Sequence, residues 1–426
     1  MKTHLMMRKS VALVIASATL LAIAGCGRTT ESGGTEGGAS STIDSKPATG
    51  TVTIWAMGNE GDKLSSFVSG FEKENPDVTV KVTAIPWSSA HDKLQTAIAA
   101  GNAPDVAQMG TTWMADFAGS FSEVPSNLGL SDFSDGPLKA GQVKGKQLGV
   151  PWYVDTHVLF YRKDIAEKAG WNRAPKTWTE LKSMAAAMQK VEGVDYGFYI
   201  APSGTDCFLG NLDSVYSSGG ILLKDGKWNF DSAQVKKGFE LTTSLFKDGI
   251  ADANADVSSG ASIANFASGK TAMMIAGPTT ISQLSDLDKN IASKYATAVL
   301  PTAKTSTAFV GGADFVVFKD SKNKQAAWKF VKWASQPKIQ AQWYQLTSDL
   351  PASSSAWKES ALSGDDKLSA FGEQLKSTMA PPAVTTWAQV TGAADQIVEQ
   401  MNKGTLSVSQ GMEQLQKQAE SIGTGE

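Results

Sequence analysis

Residues 51–83 read TVTIWAMGNEGDKLSSFVSGFEKENPDVTVKVT, and this stretch decides the predicted fold. Apolar and polar side chains alternate in residues 51–57 and again in residues 78–83, a period of two that is typical of β-strands. Between these strands, the apolar residues of 64–71 recur at helical spacing, and this helix must end before Pro76. A strand, a helix and a second strand in this order predict a parallel pair joined by a right-handed crossover.

The same alternation of elements continues along the chain. Residues 91–100 predict a helix, and residues 105–109 predict a third strand. Further strands are predicted at residues 154–161, 271–276 and 315–318, with amphipathic helices between them and a polar, helical C-terminal segment. The sequence therefore predicts an α/β protein with two units, each a mostly parallel sheet flanked by helices. The pattern does not determine how the two units interleave.

The composition excludes several classes of function. The chain has 426 residues with 39 Lys and Arg against 42 Asp and Glu, and a net charge of −3 argues against a basic nucleic-acid binder. Two cysteines and three histidines leave little room for a metal site, and no nucleotide-binding motif such as GxGxxG follows a strand. We therefore expect no metal and no cofactor. A Ser–His–Asp site around His157 and a two-carboxylate glycoside hydrolase remain open.

The N-terminal segment predicts export and membrane attachment. Residues 1–10 carry basic side chains and no acid, and residues 11–24 form an apolar run that is short for a membrane span of about 20 residues. The run leads to Cys26 in a setting that resembles the lipobox of bacterial lipoproteins, so we interpret residues 1–25 as a signal peptide and Cys26 as lipidated. The alternative is an ordinary signal peptide with an incidental cysteine. Residues 26–50, rich in Gly, Ser and Thr, then predict a flexible tether.

Tryptophan is abundant, with 12 residues in the chain. Trp87 follows the second predicted strand, Trp113 follows the third, and Asn59 and Glu60 follow the first. Ligands of parallel sheets bind beyond the carboxyl ends of the strands. Because a flat indole face complements the C–H face of a pyranose ring, these residues predict contacts to a sugar. The tryptophans on helical stripes or surface turns are predicted to pack in the core: Trp171, Trp178, Trp228, Trp328, Trp333 and Trp343.

Several motifs together resemble one family of proteins. They are residues 85–113 (IPWSSAHDKLQTAIAAGNAPDVAQMGTTW), 148–164 (LGVPWYVDTHVLFYRKD), 175–181 (PKTWTEL), 266–278 (FASGKTAMMIAGP), 309–318 (FVGGADFVVF) and 326–351, through WKFVKW, QPKIQAQWYQ and SDLP. The chain resembles the extracellular sugar-binding proteins of ABC importers, the maltose-binding-protein-like class (solute-binding protein family 1), in its Gram-positive lipoprotein branch. The resemblance covers nearly all of residues 50–420.

This resemblance implies a two-lobed periplasmic-binding-protein-like fold with a hinge that the chain crosses several times. Lobe 1 is expected to comprise residues 51–154 plus 302–350, and lobe 2 residues 155–301 plus 351–422. A di- to tetrasaccharide is expected to bind in the cleft between the lobes and to be delivered, chemically unchanged, to the membrane permease of an ABC transporter. The protein is thus expected to be a monomeric, lipid-anchored carbohydrate-transport protein on the extracellular face of the cell membrane, without catalytic activity.

Ten positions match ligand-contact positions of the family. The implied ligand-binding residues are Asn59, Glu60, Trp87, Trp113, Asp155, Asp206, Phe208, Pro278, Asp314 and Trp387. Trp387 is expected to be a stacking platform of lobe 2. Where maltodextrin binders carry a stacking Trp after Gly277-Pro278, this chain has Thr279, which argues against maltodextrin as the specific ligand. A peptide, a polyamine or a phosphate ester remains an alternative cargo, and the acidic cleft residues would suit a cation.

Overall fold

The computed structural model describes residues 42–425. The strands are β1 (Gly50–Met57), β2 (Val78–Ile85), β3 (Val106–Gly110), β4 (Gln142–Val143), β5 (Lys146–Gln147), β6 (Gly149–Thr156), β7 (Val158–Arg162), β8 (Leu223–Lys224), β9 (Lys227–Trp228), β10 (Met273–Ala276), β11 (Tyr295–Ala298), β12 (Ala308–Val317), β13 (Leu350–Pro351) and β14 (Thr378–Met379). The helices are α1 (Gly58–Phe67), α2 (Ser69–Glu74), α3 (Trp87–Ala99), α4 (Met114–Phe117), α5 (Asp135–Ala140), α6 (Lys163–Lys168), α7 (Trp178–Met188), α8 (Leu212–Ser217), α9 (Ala233–Lys247), α10 (Ala261–Ser268), α11 (Thr279–Leu287), α12 (Lys324–Ala334), α13 (Pro337–Thr347), α14 (Asp366–Gln374), α15 (Trp387–Asn402) and α16 (Val408–Ile422).

Seven strands form the larger sheet, in the order β13-β6-β12-β3-β1-β2, with β14 beside β12. The expected parallel pair is present, since β1 and β2 run parallel with Val52 opposite Val80, and β3 is parallel to β1. Val52 and Ile54 are fully buried because alternate residues of a strand share one face, and this face of β1 packs in the core. The predicted strand, helix and strand of residues 51–83 are therefore confirmed.

The two sheets differ from the expectation of mostly parallel strands. β12 runs antiparallel to β3 and to β6, and the smaller sheet, β10-β7-β11, is antiparallel throughout. Strand periodicity reports which face of a strand is buried, and it carries no information on the direction in which the chain re-enters a sheet.

A single strand was expected over residues 154–161, but the structure contains two. β6 belongs to the larger sheet and β7 to the smaller one, and His157 is the residue between them. The chain therefore changes sheets at His157, and it returns to the larger sheet between β11 and β12. The sequence of residues 154–161 does not show this change of sheet, because buried strands of either sheet have the same apolar composition.

Buried tryptophans hold two helices to the larger sheet. Trp152 of β6 stacks on Phe315 of β12, with 4.1 Å between ring centroids, and lies 4.6 Å from Trp343 of α13. Trp328 and Trp333 of α12 are buried as well. Burial of a large apolar side chain contributes about 1.5–3 kcal/mol, so these residues fix α12 and α13 against the sheet. The prediction that the helical-stripe tryptophans pack in the core is confirmed for Trp328, Trp333 and Trp343.

A second hydrophobic core lies among α8, α9, α15 and α16. Its aromatic members are Phe208, Trp228, Phe230, Phe239 and Trp387. The aliphatic stripes of α15 and α16 complete this core, which joins the C-terminal helices to the segment around α8 and α9.

Residues 42–49 differ from the expected flexible tether. Ile43 and Ala48 are buried, and the backbone N–H of Ile43 donates a hydrogen bond to Asn127 Oδ1 at 2.8 Å. This end of the segment is therefore part of the folded body, because two small apolar side chains in a polar run suffice to anchor it.

The proposed signal peptide, Cys26 and the first part of the tether lie outside the described residues. Within residues 42–425, no helix combines the length and the apolar character needed to span a bilayer.

Candidate functional site

The candidate site lies where the chain passes between the two sheets. β6 leads through His157 into β7, residues 299–307 lead from β11 back to β12, and Asp349 stands directly before β13. The side chains around these connections come from segments that are far apart in the sequence. Such a place between two packed bodies is a common location for a ligand site.

Gln108, in the middle of β3, ties three elements of the site together. Its Oε1 accepts a hydrogen bond from the backbone N–H of Met57 at the end of β1 (2.7 Å), and its Nε2 donates to the hydroxyl of Tyr153 in β6 (3.1 Å). The Tyr153 hydroxyl also lies beside the carboxylate of Glu60, in the first turn of α1. Burial, together with the charge of Glu60, raises the pKa of Tyr153 well above its usual range, so the hydroxyl stays protonated. A fully buried glutamine thus positions a phenol and a carboxylate at one edge of the sheet.

Trp87 and Trp113 form an aromatic pair at this edge. Trp87 begins α3, Trp113 ends the 3₁₀ turn after β3, and their rings meet edge to face with centroids 5.3 Å apart. Gly58 makes room for the pair, since its φ is +56° and a Cβ there would lie 2.8 Å from Trp87 Cδ1. Trp87 is 36% exposed, so part of its ring is open to a ligand.

Three carboxylates occupy this region, and one of them, Asp155, is close enough to His157 to interact with its charge. Asp349 accepts a hydrogen bond from Trp343 Nε1 at 3.0 Å, and burial, together with the charge of Glu60, raises the pKa of Asp349 to about 7. Burial, together with the charge of Asp213, also raises the pKa of Asp155. None of the ion pairs among residues 42–425 includes Glu60, Asp155 or Asp349. The region therefore offers acceptors for the hydroxyl or ammonium donors of a ligand.

Metal binding by these carboxylates has no support in their arrangement. In the part of the chain that the structure describes, no three His, Cys, Asp or Glu side chains are grouped so that they could hold a metal ion.

Gly277 and Pro278 approach Asp155 from the smaller sheet. They follow β10 and directly precede α11, and a Cβ on Gly277 would lie 2.9 Å from Asp155 Oδ1. This carboxylate oxygen is buried and has no hydrogen-bond partner within residues 42–425. Because an unsatisfied buried polar group costs about 1–3 kcal/mol, a donor from a ligand would be favourable at this point.

His157 is held by a network at the crossover. Its Nδ1 lies 2.7 Å from Asp213 Oδ2, while Asp213 Oδ1 accepts a hydrogen bond from the backbone N–H of Phe309 at 2.8 Å. The imidazole also stacks on the Phe309 ring. Although burial opposes the charged form, the Asp213 carboxylate raises the pKa of His157 to about 9. A histidine that is protonated at neutral pH is no general base, so the geometry does not support the Ser–His–Asp alternative.

Two of the predicted ligand contacts, Phe208 and Trp387, are core residues. Phe208 is 0% exposed and Trp387 is 4% exposed, and their ring centroids lie 6.1 Å apart. Trp387 also stacks on Trp228. A stacking platform needs an open ring face, so the prediction of a platform at Trp387 is wrong for this structure. The indole points inward because it belongs to the buried stripe of α15, together with Val390 and Ala394.

Asp314 and Asp206 also lie apart from the site. Asp314 of β12 is 1% exposed and packs against Gly149 of the neighbouring strand, and burial raises its pKa to about 8. The expectation that Asp314 faces the cleft is therefore wrong. Asp206 is exposed, and its backbone N–H donates to Asp395 Oδ2 of α15 at 3.0 Å. Its role as a ligand contact stays a prediction.

Part of the predicted set is brought together by the fold. The residues that gather at the crossovers are Glu60, Trp87, Trp113, Asp155 and Pro278, and exposed Asn59 lies directly before Glu60. The structure adds Gln108, Tyr153 and Asp349, which the sequence reasoning missed. A signal existed for each of them, because Gln108 is a polar residue inside an apolar strand and the other two are polar residues within family motifs.

Comparison with known proteins identifies the family. Residues 56–341 match the family described as bacterial extracellular solute-binding protein. The chain belongs to this family. It also resembles the sugar-binding protein MalE from Xanthomonas citri, with a TM-score of 0.83 and 31% identity over 88% of this chain and 97% of that chain.

Curated relatives of this solute-binding protein extend over most of its length. The galactooligosaccharide-binding protein of Bacillus subtilis is 24% identical and is covered over 97% of each chain. The maltooligosaccharide ABC transporter solute-binding lipoprotein of Streptococcus pneumoniae serotype 4 is 25% identical and is covered over 89% of each chain.

The family and these relatives are binding proteins of ABC transporters rather than enzymes. This chain is therefore an extracellular solute-binding protein with a two-lobed α/β fold, and the predictions of family, fold class and lack of catalysis are confirmed. The alternative of a glycoside hydrolase is not supported.

Proposed function

We propose that this protein is anchored to the extracellular face of the cell membrane through lipidated Cys26, binds an oligosaccharide in the cleft between its lobes, and delivers it to an ABC permease. The observation that carries the proposal is the meeting of the Trp87–Trp113 pair with unpaired carboxylates at the crossovers between the two sheets. Oligosaccharide-binding relatives of similar length support the class of ligand.

The proposed lobes follow the two sheets except at Pro351 of β13 and at β14, which lie in the larger sheet but in the second part of lobe 2. Lobe 1 comprises residues 51–154 and 302–350, and lobe 2 comprises residues 155–301 and 351–422. The change of sheet at His157 and the return to the larger sheet before β12 support this division. Asp155 and Gly277, which approach each other closely, then both belong to lobe 2.

The chemistry of the site suits a saccharide. Ionised carboxylates accept hydrogen bonds from sugar hydroxyls, and such charge-assisted bonds contribute about 1.5–3 kcal/mol each. The indoles of Trp87 and Trp113 supply apolar area that loses little rotamer entropy on binding. A site built around particular hydroxyls rejects an analogue that lacks one of them, because its own polar groups are then left unpaired.

Closure of the lobes follows from contacts on both sides of the cleft. A ligand shifts a conformational equilibrium only as far as it binds one state better than the other. A sugar that touches the Trp87–Trp113 pair and the Gly277-Pro278 segment at once stabilises the closed arrangement, by a hinge motion at the crossovers. The closed form is then the one that the permease recognises.

Calorimetric titration of the purified protein with a panel of di- to tetrasaccharides of several linkages tests the proposal. We expect saturable binding of at least one saccharide by the wild type. The double variant Asp155→Asn/Asp349→Asn should lose this binding and melt no lower than the wild type, because burial raises the pKa of both carboxyls. Asp286→Asn, on the exposed surface of α11, should bind normally. Failure of every saccharide to bind would overturn the proposed function.

Lipid anchoring has its own test. Cells that express the full chain should retain it in the membrane fraction, and intact mass spectrometry should find a lipidated N-terminus at Cys26. Cys26→Ser should release the protein into the medium with unchanged sugar binding. Release of the wild-type protein without lipid would show an ordinary signal peptide instead.

A cationic saccharide is the second candidate ligand. The lack of any ion pair to Glu60, Asp155 or Asp349 among residues 42–425 favours it, since an amine in the ligand would neutralise part of this charge. Titration with matched amino and N-acetylated forms of one disaccharide distinguishes a cationic ligand from a neutral one. Tighter binding of the amine, lost at high salt, would favour the cationic ligand.

A further inference from the structure

A basic surface, the lysine face, lies where the described part of the chain begins. Its charged members, from three segments of the chain, are Lys46, Lys322, Lys324, Lys329, Asp44 and Asp77. Lys329 Nζ pairs with Asp44 Oδ1 at 2.6 Å. Four lysines against two aspartates make this surface positive, on a chain whose net charge is −3.

Three lysines of this face have no acidic partner. Lys46, Lys322 and Lys324 are exposed, and they take part in none of the ion pairs found in the described part of the chain. Asp77 is the one acid of the lining that is left to balance them, and residues 319–320, one Lys and one Asp, add no net charge beside it. The face is therefore open to an anionic partner.

The N-terminal segment joins the folded body at this face. The backbone N–H of Asp44 donates to Gln325 Oε1 at 3.0 Å, and Gln325 Nε2 donates to the Thr42 carbonyl at 2.9 Å. Fifteen residues, 27–41, separate this point from Cys26. A coil of that length spans about 20 Å on average, and a fully extended chain about 50 Å. A lipid on Cys26 would therefore hold the lysine face close to the membrane surface.

The lysine face and the candidate ligand site lie at opposite ends of the same two strands. The backbone N–H of Gly50, the first residue of β1, donates to the carbonyl of Asp77, which directly precedes β2. Glu60 follows the far end of β1, and Trp87 follows the far end of β2. Each strand has eight residues and is therefore about 25 Å long. A membrane against the lysine face leaves the ligand site on the side that faces the medium.

We propose that the lysine face docks on the anionic phospholipid headgroups of the membrane and so turns the ligand site towards the medium. The inference rests on the proposed lipid anchor and adds to it a second, electrostatic contact that sets the orientation of the protein. Lysines are attracted to anionic headgroups within about a Debye length, roughly 8–10 Å at physiological salt. Three lysines bind weakly by themselves, and the tether strengthens the contact because it keeps the headgroups at a high local concentration.

Energy transfer in vesicles that carry the full lipidated protein tests the orientation. A donor dye on Ser45→Cys, within the N-terminal segment at the face, reports its distance from acceptor-labelled headgroups, and the buried thiol of Cys207 stays unlabelled. We expect at least twofold higher transfer in vesicles with about one third phosphatidylglycerol than in pure phosphatidylcholine. The excess should vanish in about 1 M salt. A dye on Asp62→Cys, exposed on α1 near the ligand site, should show no excess.

The charge-reversal variant Lys46→Glu/Lys322→Glu/Lys324→Glu should lose the excess transfer from the dye at residue 45. Its melting temperature should stay unchanged, because the three side chains are exposed and form no ion pair within residues 42–425. Lys324 is the first residue of α12, where a glutamate suits the helix dipole.

Lys168→Glu/Lys190→Glu/Lys270→Glu is the matched control. It changes the net charge by the same amount, at exposed positions of the segments around the smaller sheet. This control should keep the excess transfer. Loss of the excess in the control as well would show a general effect of net charge and would overturn a contact at the lysine face.

The remaining outcomes separate this inference from the proposed lipid anchor. Equal transfer in the two vesicle types would overturn the docking contact and leave the anchor intact, and it is also the result expected if the lysine face binds an acidic protein instead. An excess that persists in Lys46→Glu/Lys322→Glu/Lys324→Glu would overturn it too. If the wild type floats with neither vesicle type, the proposed lipid anchor itself fails.

Discussion

A tryptophan can contact a ligand where the surrounding residues leave a face of its ring exposed, and it stabilises the fold where both faces are covered. Trp87 keeps 36% of its surface exposed beside Trp113, whereas Trp387 keeps 4% and lies between Phe208 and Trp228. The same side chain therefore has different consequences when it is removed at these two positions.

Trp87→Ala is expected to weaken saccharide binding at least tenfold, about 1.4 kcal/mol, because the open indole supplies contact area to the sugar. The melting temperature should change little, since the ring is partly exposed. Calorimetric titration measures the affinity, and Trp171→Ala, a half-buried tryptophan next to α6, serves as the control. Unchanged affinity in Trp87→Ala would assign the ring to packing alone.

Trp387→Ala is expected to destabilise the fold by about 3–5 kcal/mol, the usual cost of removing a large buried aromatic side chain. Chemical denaturation measures this free energy of unfolding. A variant with normal stability and lost sugar binding would contradict the burial of Trp387 and restore it as a platform.

Asp314→Asn is expected to reduce the pH dependence of stability. The pKa of Asp314 is about 8 in the folded chain because the group is buried, and 3.8 is its ordinary value. Between pH 4 and pH 8 the unfolded chain has released this proton and the folded chain has kept it, so the stability of the wild type falls as the pH rises. At pH 8 the variant should be more stable than the wild type by up to about 5 kcal/mol, with the gap closing towards pH 4.

Thermal melts of both proteins from pH 4 to pH 9 measure this effect. Asp366→Asn, in the exposed first turn of α14, is the control and should follow the wild type. Parallel curves for wild type and Asp314→Asn would show that Asp314 is ionised in the folded protein at neutral pH.

At the scale of elements, the connection between β6 and β7 is the proposed hinge. Only His157 separates the two strands, and its imidazole is bound by Asp213 of α8. Asp213 also accepts a hydrogen bond from the backbone N–H of Phe309 in β12. Thr156 Oγ1 donates to the Phe309 carbonyl at 2.6 Å. Two crossings of the chain are thus tied to one helix by a charged pair.

In the His157→Gln variant, we expect the free energy of unfolding to fall less steeply than in the wild type as the pH becomes alkaline. The pKa of His157 is raised to about 9 from an ordinary 6.5, so its contribution is fully present below pH 6.5 and is lost as the pH rises through 9. The variant should keep the hydrogen bond to Asp213 and lose the charge, and roughly 1–3 kcal/mol of the pH dependence should disappear.

Melting curves between pH 6 and pH 10 test this prediction. His91→Gln is the control, because His91 lies on the surface beside Asp116 and outside the crossovers. Since Asp314, with a pKa of about 8, is common to both proteins, the difference between wild type and His157→Gln from pH 8 to pH 10 isolates His157. The same slope in wild type and His157→Gln there would exclude the ion pair as its cause.

At the scale of the whole molecule, one hydrophobic core extends from the larger sheet with α12 and α13 into the smaller sheet with α10 and α11, and another core joins α8, α9, α15 and α16. A ligand that contacts both proposed lobes adds to this coupling, because each of its contacts is lost when either lobe unfolds.

A saccharide that binds in the proposed cleft should therefore stabilise the whole chain. At a free ligand concentration 100 times the Kd, the expected gain in the free energy of unfolding is about 2.7 kcal/mol. Thermal melts with and without the ligand measure it, and hydrogen exchange should slow at Gly277 and at Asp349 together. Protection confined to one of these two segments would contradict a ligand that spans the cleft.

Particular residues show how far the sequence could predict the site. Trp87, Trp113 and Glu60 follow predicted strands, and strand ends of a parallel set share one edge, so their convergence could be foreseen. Asp349 and Tyr153 could not be placed at the site from the sequence. Asp349 precedes β13, which is too short to give a pattern. Tyr153 lies in β6, and the direction of its neighbour β12 cannot be read from periodicity. Asp314 was misplaced since alternation within a strand does not say which face meets the cleft.

The sequence by itself determined most local elements and the family, because hydrophobic period and family motifs are properties of neighbouring residues. Only the tertiary structure decided which tryptophan is open, where the chain changes sheets and which carboxylates are left unpaired. Exposure and pairing depend on partners more than a hundred residues away, as Trp228 and Trp387 or His157 and Phe309 illustrate, and no local pattern encodes such partners.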